Sequence, residues 1–504
     1  MKKPGKVYLV GAGPGDPSLL TQRAADLLAN ADSIVHDRLI PPLELLELRP
    51  DARLIDVGKT PTKHRRSQDQ INQILVEEAK AGNMVVRLKG GDSFVFGRGS
   101  EEAIVLKAAG VPFEVVPGVT SAIAVPAYAA IPVTHRGVST EFAVVTGHED
   151  PNKAESNIDW AHLAKGVGTC VFLMGVKNLK KIVARLIEHG RSPDTPAAII
   201  YRGCSWAQKV LEAPLQDLPH HPEIGTFKPP SITVVGNVVA LRKQLGAWYE
   251  ELPLHGRRFL ATRPIEHGGR DLALSLLRLG ANPVLSPLIE VTPRDNPSGL
   301  PGALCNLSAR QYNWTIFTSA NGVHFFFDKL AENSLDSRAF GGCHLATIGP
   351  ATALALDEYG LTADLVPDKY TAEGLLAALP KDLTEQRVLL PRAAQARPTL
   401  LEGLCGRGAA VDEIQLYDTE PASELSPSAA EMIAAKELDA ALLFSPSAAE
   451  ALFELTKKME KPPVVAIGPI TGKRANELGF ELLAEADEHT VVGLLNKLCE
   501  LYKT

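Results

Sequence analysis

The chain has 504 residues, of which 45% are hydrophobic and 22% are charged, and its formal net charge is −7. This length exceeds what one hydrophobic core usually organises, so we expect at least two domains of ordinary globular composition. The lack of a basic excess argues against nonspecific nucleic-acid binding, and the scattered cysteines, without a Cys-x-x-Cys pair, argue against a disulfide or zinc framework.

No apolar stretch has the length of a signal peptide or a transmembrane helix. The run that follows MKKPGK is about one strand long, and the most apolar later stretch, AIAVPAYAAIPV, is interrupted by Pro126 and Pro132. We therefore expect a cytoplasmic protein that has no membrane partner and no nucleic-acid partner.

The first predicted element is a buried strand that runs into a loop of small residues, VYLVGAGPGD at 7–16. Gly11 and Gly13 leave no side-chain bulk at the end of this strand, so the backbone can approach a ligand closely. A dinucleotide-binding Gly-x-Gly-x-x-Gly motif would need glycine in place of Asp16, and Pro14 removes one amide donor. A nicotinamide-dependent dehydrogenase is therefore a disfavoured alternative for the first half.

Strand-like and helical runs alternate along the rest of the first half. VVRLK, SEEAIVLKAAG and FEVVPG are followed later by AAIIYRG and ITVVG, which predicts parallel βαβ architecture. The segment GAWYEELPLHGR, at 246–257, follows a helix and precedes a new strand, RFLATRP, so we expect a domain boundary there.

The second half contains an internal repeat, whose copies read as strand, hydroxyl-bearing loop, helix, strand, Gly-Pro loop and helix. The corresponding segments are 317–327 with 444–454, 346–361 with 465–480 and, more loosely, 261–293 with 389–421. A repeat at this long spacing indicates two similar α/β lobes. Two facing lobes form a cleft, and open α/β sheets bind ligands at the carboxyl ends of their strands. A non-catalytic, two-lobed binding module is one alternative for this half.

Seven sequence motifs occur in the following order over about residues 5–245: VYLVGAGPGDPSLLT, DSIVHDRLI, DVGK, RLKGGDSFVFGRGSEE, VPGVTSAIAVPAYAAIPVTHRG, FLMGV and SITVVGNVV. Together they resemble the tetrapyrrole C-methyltransferases, and among them uroporphyrinogen-III C-methyltransferase. The resemblance implies two lobes, S-adenosylmethionine as methyl donor, and two methylations of uroporphyrinogen III to precorrin-2. Methylation of a later corrinoid precursor is the alternative within this family.

The resemblance also implies which residues form the methyltransferase site. Asp37 would accept a proton and Lys59 would donate one. Contacts to the cofactor would come from Pro14, Gly90, Gly91, Asp92, Val95, Thr120, Ser121, Met174 and Gly203. Substrate carboxylates would be bound by Arg38, His64, Arg98 and His135, since cationic side chains pair well with carboxylates.

Each of these roles has a structural alternative that the residues alone leave open. Asp37 could be a solvated loop carboxylate, and Lys59 a surface lysine that attracts substrate carboxylates. A plain turn would explain Asp92, an N-cap would explain Thr120, and core packing would explain Met174.

A second set of motifs, TRP, FTSANGV, IGPATA, LYDTEP, FSPS and AIGPITG, occurs in order over about residues 256–504. They resemble uroporphyrinogen-III synthase, which closes linear hydroxymethylbilane while inverting its last ring. The resemblance implies one lobe formed by 256–292 with 422–504 and another formed by 293–421. The product of such a synthase is the substrate implied for the first half, so a fusion of the two is metabolically consistent.

Candidate groups in the synthase half are hydroxyls and amides near the predicted cleft. Tyr417, in LYDTEP, is the candidate acid, and the other candidates are Thr318, Ser319, Asn321, Ser445 and Thr471. The structural alternative is strong, because a serine or threonine after a strand usually caps the next helix. Tyr417 could likewise be packing.

These observations predict an α/β protein in which a two-lobed tetrapyrrole methyltransferase precedes a two-lobed synthase with an internal repeat. The methyltransferase would occupy 1–250, with lobes of about 1–117 and 118–250, and the synthase 256–504. Expected ligands are S-adenosylmethionine, hydroxymethylbilane and uroporphyrinogen III, without a metal. We also expect a homodimer formed through the methyltransferase half.

Overall fold

The computed structural model describes residues 5–58, 66–147, 157–265 and 268–503. Its named strands form four five-stranded sheets, of which two belong to the first half of the chain and two to the second. Within these ranges, no helix is both long enough and apolar enough to cross a membrane. The predicted α/β fold class is confirmed.

The first sheet is entirely parallel, with the order β3-β2-β4-β1-β5. Its strands are β1 (Lys6–Gly11), β2 (Ser33–His36), β3 (Arg53–Asp56), β4 (Met84–Lys89) and β5 (Phe113–Val116). The helices that follow these strands are α1 (Gln22–Leu28), α2 (Gln68–Lys80) and α3 (Gly99–Ala108). Separate apolar clusters cover the two faces of the sheet, as parallel sheets require.

The second sheet is mixed, with the order β6-β7-β10-β8-β9. Its strands are β6 (Phe142–Thr146), β7 (Thr169–Leu173), β8 (Pro196–Tyr201), β9 (Lys209–Pro214) and β10 (Ser231–Val235). The helices of this region are α4 (Ser121–Tyr128), α5 (Trp160–Lys165), α6 (Leu179–Glu188) and α7 (Arg242–Leu245).

The expectation of parallel architecture throughout the first half is wrong for this second sheet. Only β6 and β7 are parallel, whereas β10 is antiparallel to both of its neighbours and β8 is antiparallel to β9. The connection from β8 to β9, residues 202–208, contains no helix. Because a parallel pair needs a long crossover, usually a helix, this short connection produces an antiparallel pair.

Strands and helices continue to alternate through the second half. The strands are β11 (Arg258–Ala261), β12 (Asn282–Leu285), β13 (Ile289–Pro293), β14 (Trp314–Phe317), β15 (His344–Thr347), β16 (Arg387–Ala393), β17 (Ala410–Pro421), β18 (Ala440–Leu443), β19 (Val464–Ala466) and β20 (Leu482–Glu485). The helices are α8 (Gly269–Arg278), α9 (Leu300–Ser308), α10 (Ala320–Glu332), α11 (Pro350–Asp357), α12 (Ala372–Ala378), α13 (Thr399–Gly406), α14 (Pro427–Ala434), α15 (Pro446–Leu455), α16 (Pro469–Glu477) and α17 (Val491–Leu501).

The internal repeat is visible in the order of the third and fourth sheets. The third sheet is parallel, with the order β12-β11-β18-β19-β20, and the fourth has the order β13-β17-β16-β14-β15. Thus β11 occupies the position of β16, and β12 that of β17. The chain crosses between the sheets beside an antiparallel ribbon, in which Ile289 pairs with Pro421 and Pro293 pairs with Tyr417.

The repeat extends to the way in which the helices begin. Ser319 and Ser445 cap α10 and α15 through their hydroxyls, and the backbone of both serines is extended. A fourth correspondence was not found from the sequence: TAEGLLAAL at 371–379 matches TVVGLLNKL at 490–498. Thr371 caps α12 and Thr490 caps α17, each accepting from the amide of a glycine three residues later at 3.0 Å.

The junction between the halves, residues 246–257, is packed against both of them. Trp248 Nε1 donates to a backbone carbonyl of α4 at 3.1 Å, and its ring meets the ring of Tyr128 edge-on. Tyr249 is buried and also contacts Tyr128. At the other end of the segment, Leu254 is fully buried in the core of the third sheet. The junction is therefore an ordered part of both halves.

Candidate active sites

Three loops meet at the carboxyl edge of the first sheet, namely those that follow β1, β4 and β5. Gly13 and Gly91 exchange backbone hydrogen bonds, with N···O distances of 3.1 and 2.6 Å. A Cβ atom on Gly11 would lie 2.6 Å from the backbone of Gly118, and one on Gly118 would lie 2.4 Å from the carbonyl oxygen of Gly91. These glycines are therefore required for the loops to pack on one another.

Asp92 and Thr120 stabilise this arrangement of loops. Asp92 accepts hydrogen bonds from the amides of Phe94, at 2.8 Å, and Gly118, at 3.0 Å. Thr120 caps α4 by accepting from the amide of Ala122 at 3.3 Å. Asp92 thus stabilises a turn and Thr120 caps a helix, as their structural alternatives predict. Both residues also lie at the edge where the cofactor is predicted to bind. The predicted contacts Pro14, Val95 and Ser121 are half-buried at this edge.

The second sheet contributes two loops with unusual backbone conformations. Met174, after β7, has φ of 58° and its side chain is 52% exposed. Gly203, after β8, lies between Arg202 and Cys204, whose φ values are 46° and 60°. Positive φ is uncommon for residues other than glycine, and such conformations cluster at functional sites. The exposed Met174 is not a core residue.

Contacts across the two sheets bring their loops together. The hydroxyl of Tyr128 donates to Asp16 Oδ2, in the first glycine loop, at 2.8 Å. A Cβ atom on Gly15 would have the carbonyl oxygen of Cys204 as its nearest neighbour, at 3.9 Å, so there is open space beside Gly15. The first glycine loop therefore lies beside the loop that carries Gly203.

Asp37 follows β2 and is held by an arginine from the neighbouring strand. Its Oδ1 accepts from Arg87 Nη2 at 2.7 Å, and the Asp37 side chain is 34% exposed. The same loop packs on the predicted cofactor turn, because a Cβ atom on Gly90 would lie 2.1 Å from the carbonyl oxygen of Leu39. Lys59 and His64, the other predicted residues of this region, lie outside the described residues.

Arg87 belongs to a buried charge network that the sequence reading missed. Its Nε donates to Glu102 Oε1 at 3.2 Å, and Lys89 Nζ donates to the same oxygen at 2.9 Å. All three side chains are almost completely buried. Burial, assisted by the charge of Arg87, lowers the pKa of Lys89, although Glu102 and Asp37 oppose this shift. One signal was present: two cations at alternate positions of an otherwise apolar strand.

The predicted substrate residues of the first half are exposed. Arg38 and His135 are solvent-accessible, and Arg98 pairs with Glu101 on the surface at 2.7 Å. Large apolar side chains near these residues are also exposed, including Leu39, Phe94 and Phe96. Because the loop of Leu39 adjoins Asp37 and Gly90, this surface can contact an apolar ring system while the cations bind peripheral carboxylates.

In the synthase half, the predicted hydroxyls occupy helix starts. Ser319 accepts from the amide of Gly322 at 3.0 Å, and Ser445 accepts from that of Ala448 at 3.1 Å. Both therefore have the capping role of their structural alternative. Thr318 and Asn321 are half-buried beside Ser319, whereas Thr471 is buried within the first turns of α16.

Tyr417 lies in the antiparallel ribbon that joins the two sheets of this half. Its side chain is 5% exposed, and its ring packs against that of Phe325. The hydroxyl is 2.8 Å from Ser319 Oγ, the helix cap. Burial raises the pKa of Tyr417 above its usual value, while the bond to Ser319 opposes the rise. The phenol is therefore neutral at physiological pH and able to donate a hydrogen bond.

Within the described part of the chain, no group of three or more histidine, cysteine, aspartate or glutamate side chains could hold a metal ion. The candidate sites instead consist of backbone loops, hydroxyls, cations and carboxylates, of which Asp37 is partly exposed. This set of groups suits the binding of a polycarboxylate ring and the movement of protons.

Comparison with known proteins assigns the two halves to two families. Residues 6–219 match the family described as tetrapyrrole (corrin/porphyrin) methylases. Residues 270–496 match the family described as uroporphyrinogen-III synthase HemD.

Individual relatives agree with these matches. The porphyrin biosynthesis protein HemD of Ruminiclostridium josui is 37% identical over 501 residues, which cover 99% of this chain and 98% of that protein. The S-adenosyl-L-methionine-dependent uroporphyrinogen III methyltransferase of Methanosarcina barkeri is 54% identical over 243 residues, which cover 48% of this chain and 95% of that protein. A crystal structure of the uroporphyrin-III C-methyl transferase of Thermus thermophilus covers 47% of this chain and all of that protein, with 38% identity and a TM-score of 0.41.

The nearly full-length relative shows that the two halves belong together in one kind of protein. The chain belongs to the tetrapyrrole methylases through its first half and to the uroporphyrinogen-III synthases through its second half.

Proposed function

We propose that the chain is a bifunctional enzyme of tetrapyrrole biosynthesis. Its second half closes hydroxymethylbilane to uroporphyrinogen III, and its first half methylates that product twice with S-adenosylmethionine to give precorrin-2. The observation that carries this proposal is the presence of both families in one chain, in the arrangement of a relative that matches along nearly its whole length.

In the first half, S-adenosylmethionine would supply an electrophilic methyl group. The loops that carry Gly90, Asp92 and Thr120 fit this ligand, because they meet at one edge, and the loop of Gly203 adjoins the first glycine loop, which has open space beside Gly15. The exposed Met174 gives an apolar contact and the glycine loops allow close approach of the backbone. Methylation of a pyrrole carbon releases a proton, for which Asp37 is the proposed acceptor, and Lys59 is the proposed proton donor.

In the second half, the proposed role of the protein is to hold the linear substrate in a closed shape. Ionisation of a hydroxymethyl group on an electron-rich pyrrole is easy, so orientation matters more than strong acid catalysis. Tyr417 is the proposed donor to the leaving oxygen, with Ser319 positioned beside its hydroxyl. Thr318, Asn321, Ser445 and Thr471 remain proposed substrate contacts.

Domain limits, assembly and location are part of the same proposal. We place the methyltransferase at 1–250 and the synthase at 256–504, with lobe crossings near residues 292 and 421. Exposed apolar side chains in the first half, such as Ile104 and Ile123, support a homodimer formed there. We also propose a cytoplasmic enzyme without a nucleic-acid or membrane partner.

Incubation of the pure protein with hydroxymethylbilane and S-adenosylmethionine should yield dimethylated precorrin-2 without any added synthase. Omission of the methyl donor should stop the sequence at uroporphyrinogen III, and both products can be separated by chromatography and identified by mass. Accumulation of the unrearranged type I macrocycle would contradict the synthase assignment. Unmethylated type III product in the complete mixture would contradict the methyltransferase assignment and favour a later corrinoid substrate.

Replacing Tyr417 with phenylalanine should slow cyclisation about 10- to 100-fold, because the substrate loses one hydrogen-bond donor but still ionises readily. Ser319→Ala serves as the matched variant, since it removes the neighbouring hydroxyl and leaves the phenol in place. Methylation of supplied uroporphyrinogen III should be unchanged in both variants. If the Tyr417→Phe variant cyclised the substrate at the wild-type rate, Tyr417 would have only a packing role and would not be the proposed donor.

A further inference from the structure

Arg263 is a charged residue at the ligand-binding edge of the third sheet. It follows β11 by two residues, and β11 lies between β12 and β18 in an all-parallel sheet. The carboxyl ends of parallel strands are where open α/β sheets bind their ligands. Arg263 therefore lies at the edge where the third sheet would bind a ligand.

The surroundings of Arg263 are apolar or small. The guanidinium lies over the ring of Phe444, with its carbon 5.3 Å from the ring centroid, and a Cβ atom on Gly268 would lie 3.2 Å from the guanidinium. Burial lowers the pKa of Arg263, and the charge of Asp271 opposes the shift. In the described ranges, however, no carboxylate lies within ion-pair distance of Arg263. A partly buried cation without a paired anion is costly, which suggests an anionic ligand.

The corresponding edge of the fourth sheet is built differently. Arg392, at the end of β16, is 5% exposed and donates to Glu413 Oε1 on β17 at 2.5 Å. Leu390 and Ala261 are equivalent positions, because each precedes its arginine by two residues. Leu390 pairs with Glu413 on β17, whereas Ala261 pairs with Leu285 on β12. The fourth sheet thus supplies a counterion for its arginine, and the third sheet has an apolar residue at the matching place.

We propose that Arg263 binds a carboxylate of the linear substrate in the synthase half. This inference rests on the proposed function, because hydroxymethylbilane is the polycarboxylate that this half would receive. The guanidinium presents paired N–H donors that suit a carboxylate, and its contact with the ring of Phe444 restrains the side chain. Arg392 is already neutralised by Glu413, so it remains a structural residue.

The test is steady-state cyclisation by the full-length Arg263→Met variant over a range of hydroxymethylbilane concentrations. We expect KM to rise about 10- to 100-fold, the loss typical of a charge-assisted hydrogen bond, while kcat changes little. Arg257→Met is the matched control, because Arg257 lies at the opposite end of β11 and also stacks on an aromatic ring, that of Tyr502. That variant should keep the wild-type KM.

Arg263→Lys provides a second test that keeps the charge and removes the planar fork. Its KM should lie between those of the wild type and Arg263→Met, and salt should raise the KM of the wild type and of Arg263→Lys more steeply than that of Arg263→Met. An unchanged KM in Arg263→Met would overturn the inference, as would a loss of kcat without a change in KM. Failure of the wild type to cyclise the substrate would instead contradict the proposed function, and with it this inference.

Discussion

Replacement of Asp37 with asparagine should lower methylation of uroporphyrinogen III about 10²- to 10⁴-fold, the range typical for loss of a positioned proton-transfer group. The carboxylate is oriented by Arg87 at 2.7 Å and is partly exposed beside the predicted cofactor turn. Asparagine preserves the size of the side chain and one acceptor oxygen, but it does not take up a proton near neutral pH. Rates with saturating substrates measure the loss, and calorimetry should show nearly unchanged affinity for S-adenosylmethionine.

Asp51→Asn is the matched control for this measurement. Asp51 also pairs with an arginine of the first half, Arg49, at 2.6 Å, but it lies on the exposed surface before β3. The control should methylate at the wild-type rate, and both variants should cyclise hydroxymethylbilane normally. If Asp37→Asn lost cofactor affinity and kept its maximal rate, Asp37 would be a binding residue and the proton-transfer role would be withdrawn.

The second large effect should be on stability, when Glu102 is replaced with alanine. Glu102 is fully buried, and its Oε1 accepts from both Arg87 and Lys89. Removing it leaves Lys89 buried without an anion and Arg87 with Asp37 as its remaining partner, and breaking a buried ion pair in this way costs about 3–5 kcal/mol of unfolding free energy. Hydrogen exchange of the β4 amides in the full-length chain measures the loss locally, because a chain with several sheets need not unfold in one step.

The neighbouring residue supplies the control for that prediction. Glu101 pairs with Arg98 at 2.7 Å, but both side chains are about half exposed. Exposed pairs of this kind contribute less than about 1 kcal/mol, so Glu101→Ala should leave the exchange of β4 nearly unchanged. Equal protection in the two variants would mean that water, or the loss of a proton from Lys89, relieves the charge of Arg87 and Lys89 without Glu102.

The fold class and the internal repeat could be predicted because they follow from local patterns. Apolar β-branched runs separated by amphipathic ones define parallel sheets, and Ser319 and Ser445 recur at equivalent helix starts. The antiparallel pairing of β10 could not be predicted in the same way. An apolar strand such as SITVV has the same composition whichever way its neighbours run, and tertiary packing decides the direction.

The candidate sites show the same division between local and long-range information. A motif places Gly91 in a turn, but only the fold shows that Gly11 and Gly118 pack against this turn. The network of Arg87, Lys89 and Glu102 joins β4 with α3, so it depends on contacts that no short motif encodes. Lys59 and His64 remain predictions.

The packed junction has a consequence for how material passes between the two halves. A flexible tether would let the second half search a volume that grows with linker length, and the benefit of fusion would then be a raised effective concentration. Instead, Trp248 and Tyr249 bind the beginning of a short segment to α4 of the first half, and Leu254 is buried in the core of the third sheet. Because this segment is packed at both ends, we expect the arrangement of the two halves, rather than tether length, to govern transfer of the synthase product.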